Sequence, residues 1–288
     1  MRMLIIGASG FVGSYLFNTA KKFKHEVKGT YFGRKIPGSI FIDITNARGV
    51  ERVIKSVGPD VVFLPAGIPF VDWCEKHPKE SWEVNVGGVK NVVEVMKKLG
   101  GVLVYYSSEY VFGEKSGPYR ESDMPKPLNV YGKQKLESEK LVLAIGGLCL
   151  RTVLVYGNET TTKNYAEQII RSLSEDKKFY AAVDQISTPT YVVDLVDASL
   201  QLVQKKIKGI VHVAGPEKMS RYELANKIAE AFELDKSLIE AVNTRELRQI
   251  ARRPMKAGLN SDKLQNILHK RLSSVDVGLK QMKKTRKI

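Results

Sequence analysis

Met3-Leu-Ile-Ile-Gly7-Ala-Ser-Gly10-Phe-Val-Gly13 decides how the rest of the chain reads. The apolar run up to Ile6 has the composition of a strand buried on both faces. Three glycines follow at every third position, and apolar residues then return at helical spacing over 11–22. Strand, glycine turn and helix in that order form the context a dinucleotide site needs. At Gly7, Gly10 and Gly13 backbone N–H groups can approach a pyrophosphate, and the start of the helix favours its charge. The competing reading is a glycine turn in an α/β protein that binds nothing.

Outward from this turn the same alternation repeats. Strands are expected at 25–32, 40–42, 61–64, 102–106 and 148–155. Helices are expected at 46–57, capped by Thr45 or Asn46, and at 79–98, stopped by Gly100-Gly101. Another, running to residue 143, carries Tyr131 and Lys135. Repeated βαβ units with short links imply an α/β, Rossmann-type doubly wound parallel sheet with right-handed crossovers. After residue 156 the pattern loosens, with helices expected at 163–174, 192–204, 220–233 and 244–251 and a strand at 209–213 that rejoins the sheet. The expected division is an NAD(P)-binding Rossmann domain over 1–156 and a smaller C-terminal substrate-binding lobe over 157–288, some segments of which return to the sheet.

Composition narrows the class. With 288 residues and 43% hydrophobic content the chain can bury a large core. No apolar run approaches the roughly 20 residues that cross a bilayer. The N-terminus enters a strand directly, and the default expectation is a cytoplasmic protein without a membrane partner. The net charge of +15 comes from lysines spread along helices, which reads as a solvated surface rather than a nucleic-acid face. The tail Lys280-Gln-Met-Lys-Lys-Thr-Arg-Lys287 reads as a frayed basic end. Cys74 and Cys149 fall in no CxxC or Cys/His grouping, the four histidines are scattered, and no metal site is expected.

Several residues could carry chemistry. Tyr131 and Lys135, four apart, share one helix face, and a cation near a phenol favours the phenolate. Ser107 and Ser108 end a strand, where ligands of doubly wound sheets bind; either could bond a substrate carbonyl or merely cap local backbone. The segment Gly29-Thr-Tyr-Phe-Gly-Arg-Lys35 lacks the acid that bonds a ribose 2′-hydroxyl. Arg34 and Lys35 could pair with a 2′-phosphate instead, which favours NADP(H) over NAD(H). Asp43 could accept from an adenine amino group or cap the helix that follows. Trp73 and Trp82 read as packing residues, and Arg252-Arg-Pro254 as either a phosphate contact or solvated charge.

Taken together the residues resemble an extended short-chain dehydrogenase/reductase, and within it the dTDP-4-dehydrorhamnose reductase family. The resemblance spans nearly the whole chain. It rests on the glycine turn, Asp43-Ile-Thr45, Pro59-Asp-Val-Val62, Val71-Asp72, Val84-Asn85 and Ser107-Ser-Glu-Tyr-Val-Phe112. It continues through Gly117-Pro-Tyr-Arg-Glu121, Pro127-Leu-Asn-Val-Tyr-Gly-Lys133, Leu150-Arg-Thr152, Val155-Tyr-Gly157, Asp184-Gln185, Thr188-Pro-Thr-Tyr191 and Ala251-Arg-Arg-Pro254.

The resemblance implies roles. Tyr131 is the proton donor, Lys135 its partner and a holder of the nicotinamide ribose, and Ser108 the hydroxyl that steadies the developing charge. Gly10, Phe11 and Val12 touch the pyrophosphate, with Ser9 in the same loop. Asp43 and Ile44 flank the adenine, Ala66, Gly67 and Ile68 line the cofactor cleft, and Arg253 lies near the substrate nucleotide.

Departures fall on the substrate side. Glu109 stands where the family has Asp, and Leu154 where it places a Trp against the sugar. The activity implied is NADPH-dependent reduction of a nucleotide-linked 4-keto-sugar, foremost dTDP-4-dehydrorhamnose to dTDP-L-rhamnose, with a nucleotide-sugar as partner; a homodimer is compatible. Two alternatives stay open. One is an NAD-dependent nucleotide-sugar epimerase or dehydratase using Glu109 as acid. The other is a non-catalytic, NADP-binding regulatory subunit of the methionine adenosyltransferase type.

Overall fold

The computed structural model describes residues 1–113, 116–159 and 164–286, so the expected helix start at 163 and the last lysine of the tail lie outside the described residues. In chain order β1 (Arg2–Ile5) leads to α1 (Phe11–Lys22), β2 (Glu26–Tyr31), β3 (Ile40–Phe41), α2 (Ala47–Val57) and β4 (Val61–Leu64). Next come α3 (Val71–Lys76), α4 (Pro78–Trp82), a π turn at Glu83–Gly87, α5 (Gly88–Leu99), β5 (Val102–Ser108), α6 (Val130–Ala144) and β6 (Leu148–Thr152). Beyond these lie β7 (Val155–Tyr156), α7 (Tyr165–Ser174), β8 (Phe179–Ala182), β9 (Ile186–Ser187), β10 (Thr190–Tyr191), α8 (Val192–Gln204) and β11 (Gly209–His212). The remainder is β12 (Met219–Ser220), α9 (Arg221–Ala231), β13 (Ile239–Val242), α10 (Asp262–Leu268) and α11 (Val275–Thr285).

Seven strands form one sheet in the order β11-β6-β5-β4-β1-β2-β3, and every pairing in it is parallel. Successive residues of a strand face opposite sides, so an unbroken apolar strand feeds two cores. Met3, Ile5, Phe63 and Val104 pack on one face with Leu16 of α1 and Leu195 and Leu200 of α8. Leu4, Ile6, Val62, Leu64 and Tyr105 pack on the other with Val50 of α2, Val92 of α5 and Val142 of α6. This is the expected doubly wound sheet. A further core joins Ile169 of α7, Leu224 and Ile228 of α9, and Leu279 and Met282 of α11. β11 returns to pair with β6, and the α8 residues cover the sheet.

Five expectations change. The helix foreseen at 79–98 is interrupted by the π turn, which carries Asn85 inward. The strand foreseen at 148–155 breaks at Leu154, whose φ of 41° lets β7 leave the sheet and pair with β10. The helix foreseen at 244–251 is a 3-10 turn, Thr244–Leu247, ended by Arg248 in the left-handed region. Over its described residues the basic tail is not frayed: Val275, Leu279 and Met282 of α11 are buried, because they recur on one face of the helix. Beyond α11, Arg286 grips the buried Glu167 with two bonds of 2.8 and 3.0 Å. Trp73 and Trp82, read as packing residues, are 37% and 45% exposed.

Replacing Arg286 by alanine removes both charged donors from a carboxylate that stays buried. The expected loss is about 1.5 kcal/mol in urea unfolding, with the circular dichroism of the folded state unchanged.

Candidate active site

The glycine turn brings β1, α1 and the loop after β4 to one point. Gly7 has a φ of +98°, and a Cβ there would lie 3.0 Å from Ala66. A Cβ on Gly13 would run into the Gly7 carbonyl. Glycine is therefore required at both positions by close approach. Gly7 N–H donates to Thr30 Oγ1 at 3.1 Å and Gly10 N–H to the Gly7 carbonyl at 3.0 Å, which closes the turn. α1 opens at Gly10 with no side-chain cap and no acid in its first turn. Its leading N–H groups, among them those of Phe11 and Val12, have the disposition that receives an anion. Arg34 reaches this turn, its Nη2 donating to the Ser9 carbonyl at 3.0 Å.

Asp43 Oδ1 accepts from Thr45 N–H at 2.9 Å and from Thr45 Oγ1 at 2.7 Å. The cap of α2 is Asn46, which accepts from Gly49 N–H at 3.0 Å. Of the three capping candidates, Asn46 takes the role, and Asp43 and Thr45 bond each other in the turn before it. Ile44 is buried in the second core.

The loop Ala66-Gly67-Ile68 is pinned by Asn85. Asn85 Oδ1 accepts from Ile68 N–H at 2.7 Å, and its Nδ2 donates to Gln134 Oε1 at 2.9 Å. Gln134 in turn donates to Ser81 Oγ at 2.7 Å, and Ser138 Oγ donates to the Asn85 carbonyl at 2.7 Å. These bonds account for the π turn: the widened helix sets Asn85 between the loop and α6.

α6 starts at Asn129, which accepts from Gly132 N–H at 2.8 Å. A Cβ on Gly132 would strike the Tyr110 carbonyl, so the helix lies directly against the turn that follows Ser108. Tyr131 is 8% exposed, with its ring edge-on to Tyr110 at 5.8 Å. Lys135 Nζ donates to the Tyr106 carbonyl at 2.7 Å and lies 4.7 Å from the Tyr105 ring centroid and 5.6 Å from that of Tyr131.

The electrostatics reverse the expectation drawn from spacing. Burial pushes the Tyr131 phenol up, Tyr110 and Cys74 add to this, and only the Ser108 hydroxyl opposes it. Burial also brings Lys135 down to about 8, against the pull of Glu139. Desolvation outweighs the attraction of a nearby cation, so Tyr131 is a neutral phenol with a proton to give.

Glu109, expected on the substrate side, is 3% exposed, and its Oε2 accepts from Ser187 Oγ at 2.7 Å and Gly258 N–H at 2.9 Å. Burial raises its pKa. Leu154 is half-buried against the core of α7, α9 and α11 and against a smaller cluster that includes Phe112, Tyr119 and Leu259. Arg253 pairs with Asp72 at 2.9 Å; burial pushes the Tyr110 phenol up, against the opposing charges of Arg221 and Arg253. The structure thus brings Ser108, Tyr131, Lys135 and Arg253 into one neighbourhood, with the glycine turn and Ala66 adjoining through Asn85. Sequence reasoning missed Arg221, which stacks over Tyr165 at 4.8 Å; nothing near it in the chain marks it. It gave no role to Thr152, paired in register with Ser108, whose hydroxyl, like that of Ser107, is buried without a partner. Among the described residues no cluster of three His, Cys, Asp or Glu side chains could hold a metal, and no helix is long and apolar enough to cross a membrane.

Comparison with family models matches residues 1–287 to the RmlD substrate binding domain. The chain belongs to this family. Relatives of two kinds resemble it. Methionine adenosyltransferase 2 subunit beta of Bos taurus is 32% identical over 289 residues, covering 97% of this chain and 86% of that protein. The dTDP-4-dehydrorhamnose reductase of Aggregatibacter actinomycetemcomitans is 31% identical over 279 residues, covering 92% of each. Among solved structures, the dTDP-4-dehydrorhamnose reductase of Bacillus anthracis in complex with NADP superimposes with a TM-score of 0.90 at 28% identity, over 99% of each chain.

In this RmlD-family chain the variant Gly13→Ala cannot keep both its Cβ and the Gly7 carbonyl in place. Fluorescence titration with NADPH is expected to show binding weakened at least about tenfold, since the backbone donors at the turn move apart.

Proposed function

We propose that this protein is an NADPH-dependent reductase of a nucleotide-linked 4-keto-sugar, with dTDP-4-dehydrorhamnose as the first candidate substrate. The observation that carries the reading is the buried, neutral phenol of Tyr131 beside the Ser108 hydroxyl, one helical turn from Lys135. Reduction of a ketone leaves an alkoxide that must be protonated, and a phenol held uncharged by burial is a suitable donor. Ser108 bonds the same oxygen as charge develops on it. Lys135, an ammonium below about pH 8, favours the phenolate that Tyr131 becomes.

The cofactor fits the residues present. The close Gly7–Gly13 approach and the uncapped start of α1 receive a pyrophosphate, and Arg34 beside Ser9 suits a 2′-phosphate. Asp43 and Ile44 lie at the adenine end, and Ala66, Gly67 and Ile68 along the cleft. NADPH, when bound, supplies the hydride. Arg253 and Leu154 are assigned to the substrate, together with Glu109 in a supporting place. The 1–156 and 157–288 division is kept as the division of labour between cofactor and substrate.

A second reading is favoured by the methionine adenosyltransferase relative: a regulatory subunit that binds NADP and acts through a partner enzyme. The dehydratase alternative has less behind it, because the Glu109 carboxylate is already engaged by Ser187 and Gly258.

NADPH oxidation with a panel of dTDP-, UDP- and GDP-linked 4-keto-sugars separates these readings. Turnover with one of them supports the reductase, and none with any would transfer the weight to the regulatory reading. With the active sugar, Tyr131→Phe is expected to lower kcat by about 10²- to 10⁴-fold with NADPH affinity and fold retained. Arg34→Ala is expected to weaken NADPH about tenfold while leaving NADH affinity unchanged, as the loss of a charged phosphate contact would.

A further inference from the structure

Glu139 stands one turn beyond Lys135 on α6, as Lys135 stands one turn beyond Tyr131. Three functional groups therefore climb one buried face of the helix. Glu139 is 1% exposed, and so is Arg151 of β6, which clamps it through Nε to Oε1 at 2.8 Å and Nη2 to Oε2 at 2.7 Å. The guanidinium lies over Phe112 at 4.9 Å, with His212 Nε2 3.5 Å from its Nη1. Burial and the Arg151 charge bring His212 down to about 3, so it adds no charge of its own near neutrality.

A buried ion pair is weak evidence of stabilisation, since an apolar pair of similar volume is often as stable or more so. Its placement under the proton-transfer residues asks for another account. The groups facing Lys135 are Tyr131 and Glu139 on its own helix, Tyr105 and the Tyr106 carbonyl of β5, Cys74 of α3 and Cys149 of β6. The tyrosine and cysteine side chains among them all have their ionisation pushed up by burial and are neutral. The one carboxylate in the set is Glu139.

We propose that Glu139 is a positioning residue of the proton-transfer site: its carboxylate, fixed by Arg151, holds Lys135 in the ammonium form at neutral pH. The proposal rests on the reading of Lys135 as the partner of Tyr131 given above. Burial works against the ammonium, and the Glu139 charge is the leading influence in its favour. Removing that anion disfavours the charged form, so the lysine pKa falls and neutral pH comes to lie above it.

The test is a pH titration of the Lys135 Cε resonance in ¹³C-lysine-labelled protein, assigned by its absence from Lys135→Met. Wild type and Glu139→Asp, which keeps the charge, are expected to titrate near the same value of about 8. Glu139→Gln is expected to titrate lower by about one pH unit or more, the size of a lost neighbouring charge. The double variant Glu139→Gln/Arg151→Met leaves no unpaired buried guanidinium and is expected to shift the same way by somewhat less. It carries the test alone if the single variant does not fold. A midpoint unmoved in both variants overturns the proposal. So does a shift in the single variant that the double one abolishes, because the unpaired Arg151 would then be its cause. The alkaline limb of kcat/KM should move with the midpoint. The titration needs no substrate, so a shifted midpoint in a protein that reduces no keto-sugar leaves the control of the Lys135 charge by Glu139 standing while the reductase reading fails. Turnover with an unmoved midpoint does the reverse.

Discussion

Tyr131, Gln134, Lys135, Ser138 and Glu139 are all buried on a single helix, and each polar group withdrawn from water must find a partner inside the protein. Leaving one unpaired costs about 1–3 kcal/mol. That requirement organises much of what surrounds α6. Gln134 and Ser138 hold Asn85, and with it the π turn and the loop after β4. Lys135 is tied to the Tyr106 carbonyl near the end of β5, and Glu139 to Arg151 of β6. A helix with one apolar face could slide or rotate by small amounts at little cost. One with five buried polar partners cannot, and the reacting groups gain a fixed geometry from it.

The same burial decides the charge states. From the sequence, a Tyr and a Lys four residues apart suggest a phenolate sustained by a cation. In the structure the ammonium points to a backbone carbonyl, and both groups are shifted toward their neutral forms. Spacing reports which side chains share a face; it does not report the dielectric they share. The outcome suits the proposed reduction, because that step calls for a donor that still holds its proton.

The fold was legible where information is local. Glycines at 7, 10 and 13 and the apolar strand before them state their own geometry, and the βαβ repeats fixed the sheet. Asn85 was visible as a residue but not as a device, because a π turn looks like ordinary helix in sequence. Leu154 broke a strand that its composition favours, since tertiary pairing of β7 with β10 outweighs local propensity. The C-terminal helix was hidden by its lysines. Its core positions, Val275, Leu279 and Met282, carry the helical period, and the charges between them are merely the solvated face. Arg286, read as loose charge, is paired with a carboxylate more than a hundred residues away.

Local and non-local construction also divide the two halves of the site. The glycine turn, Ser108, Tyr131 and Lys135 sit on the sheet's strand ends and on one helix, so each is placed by a short stretch of chain. The side proposed for the substrate is assembled across long separations: Asp72 with Arg253, Glu109 with Ser187 and Gly258, Arg221 beside Tyr165. A site built in this way can change its ligand by altering one distant segment while the proton-transfer wall stays as it is. Relatives that match nearly the whole of this chain bear the names of a sugar reductase and of an adenosyltransferase subunit, which is what such a division of construction permits. On the proposed reading, the identity of the substrate is carried by the contacts that Arg253, Arg221 and Glu109 make across the fold, and these are the features that sequence spacing is least able to describe.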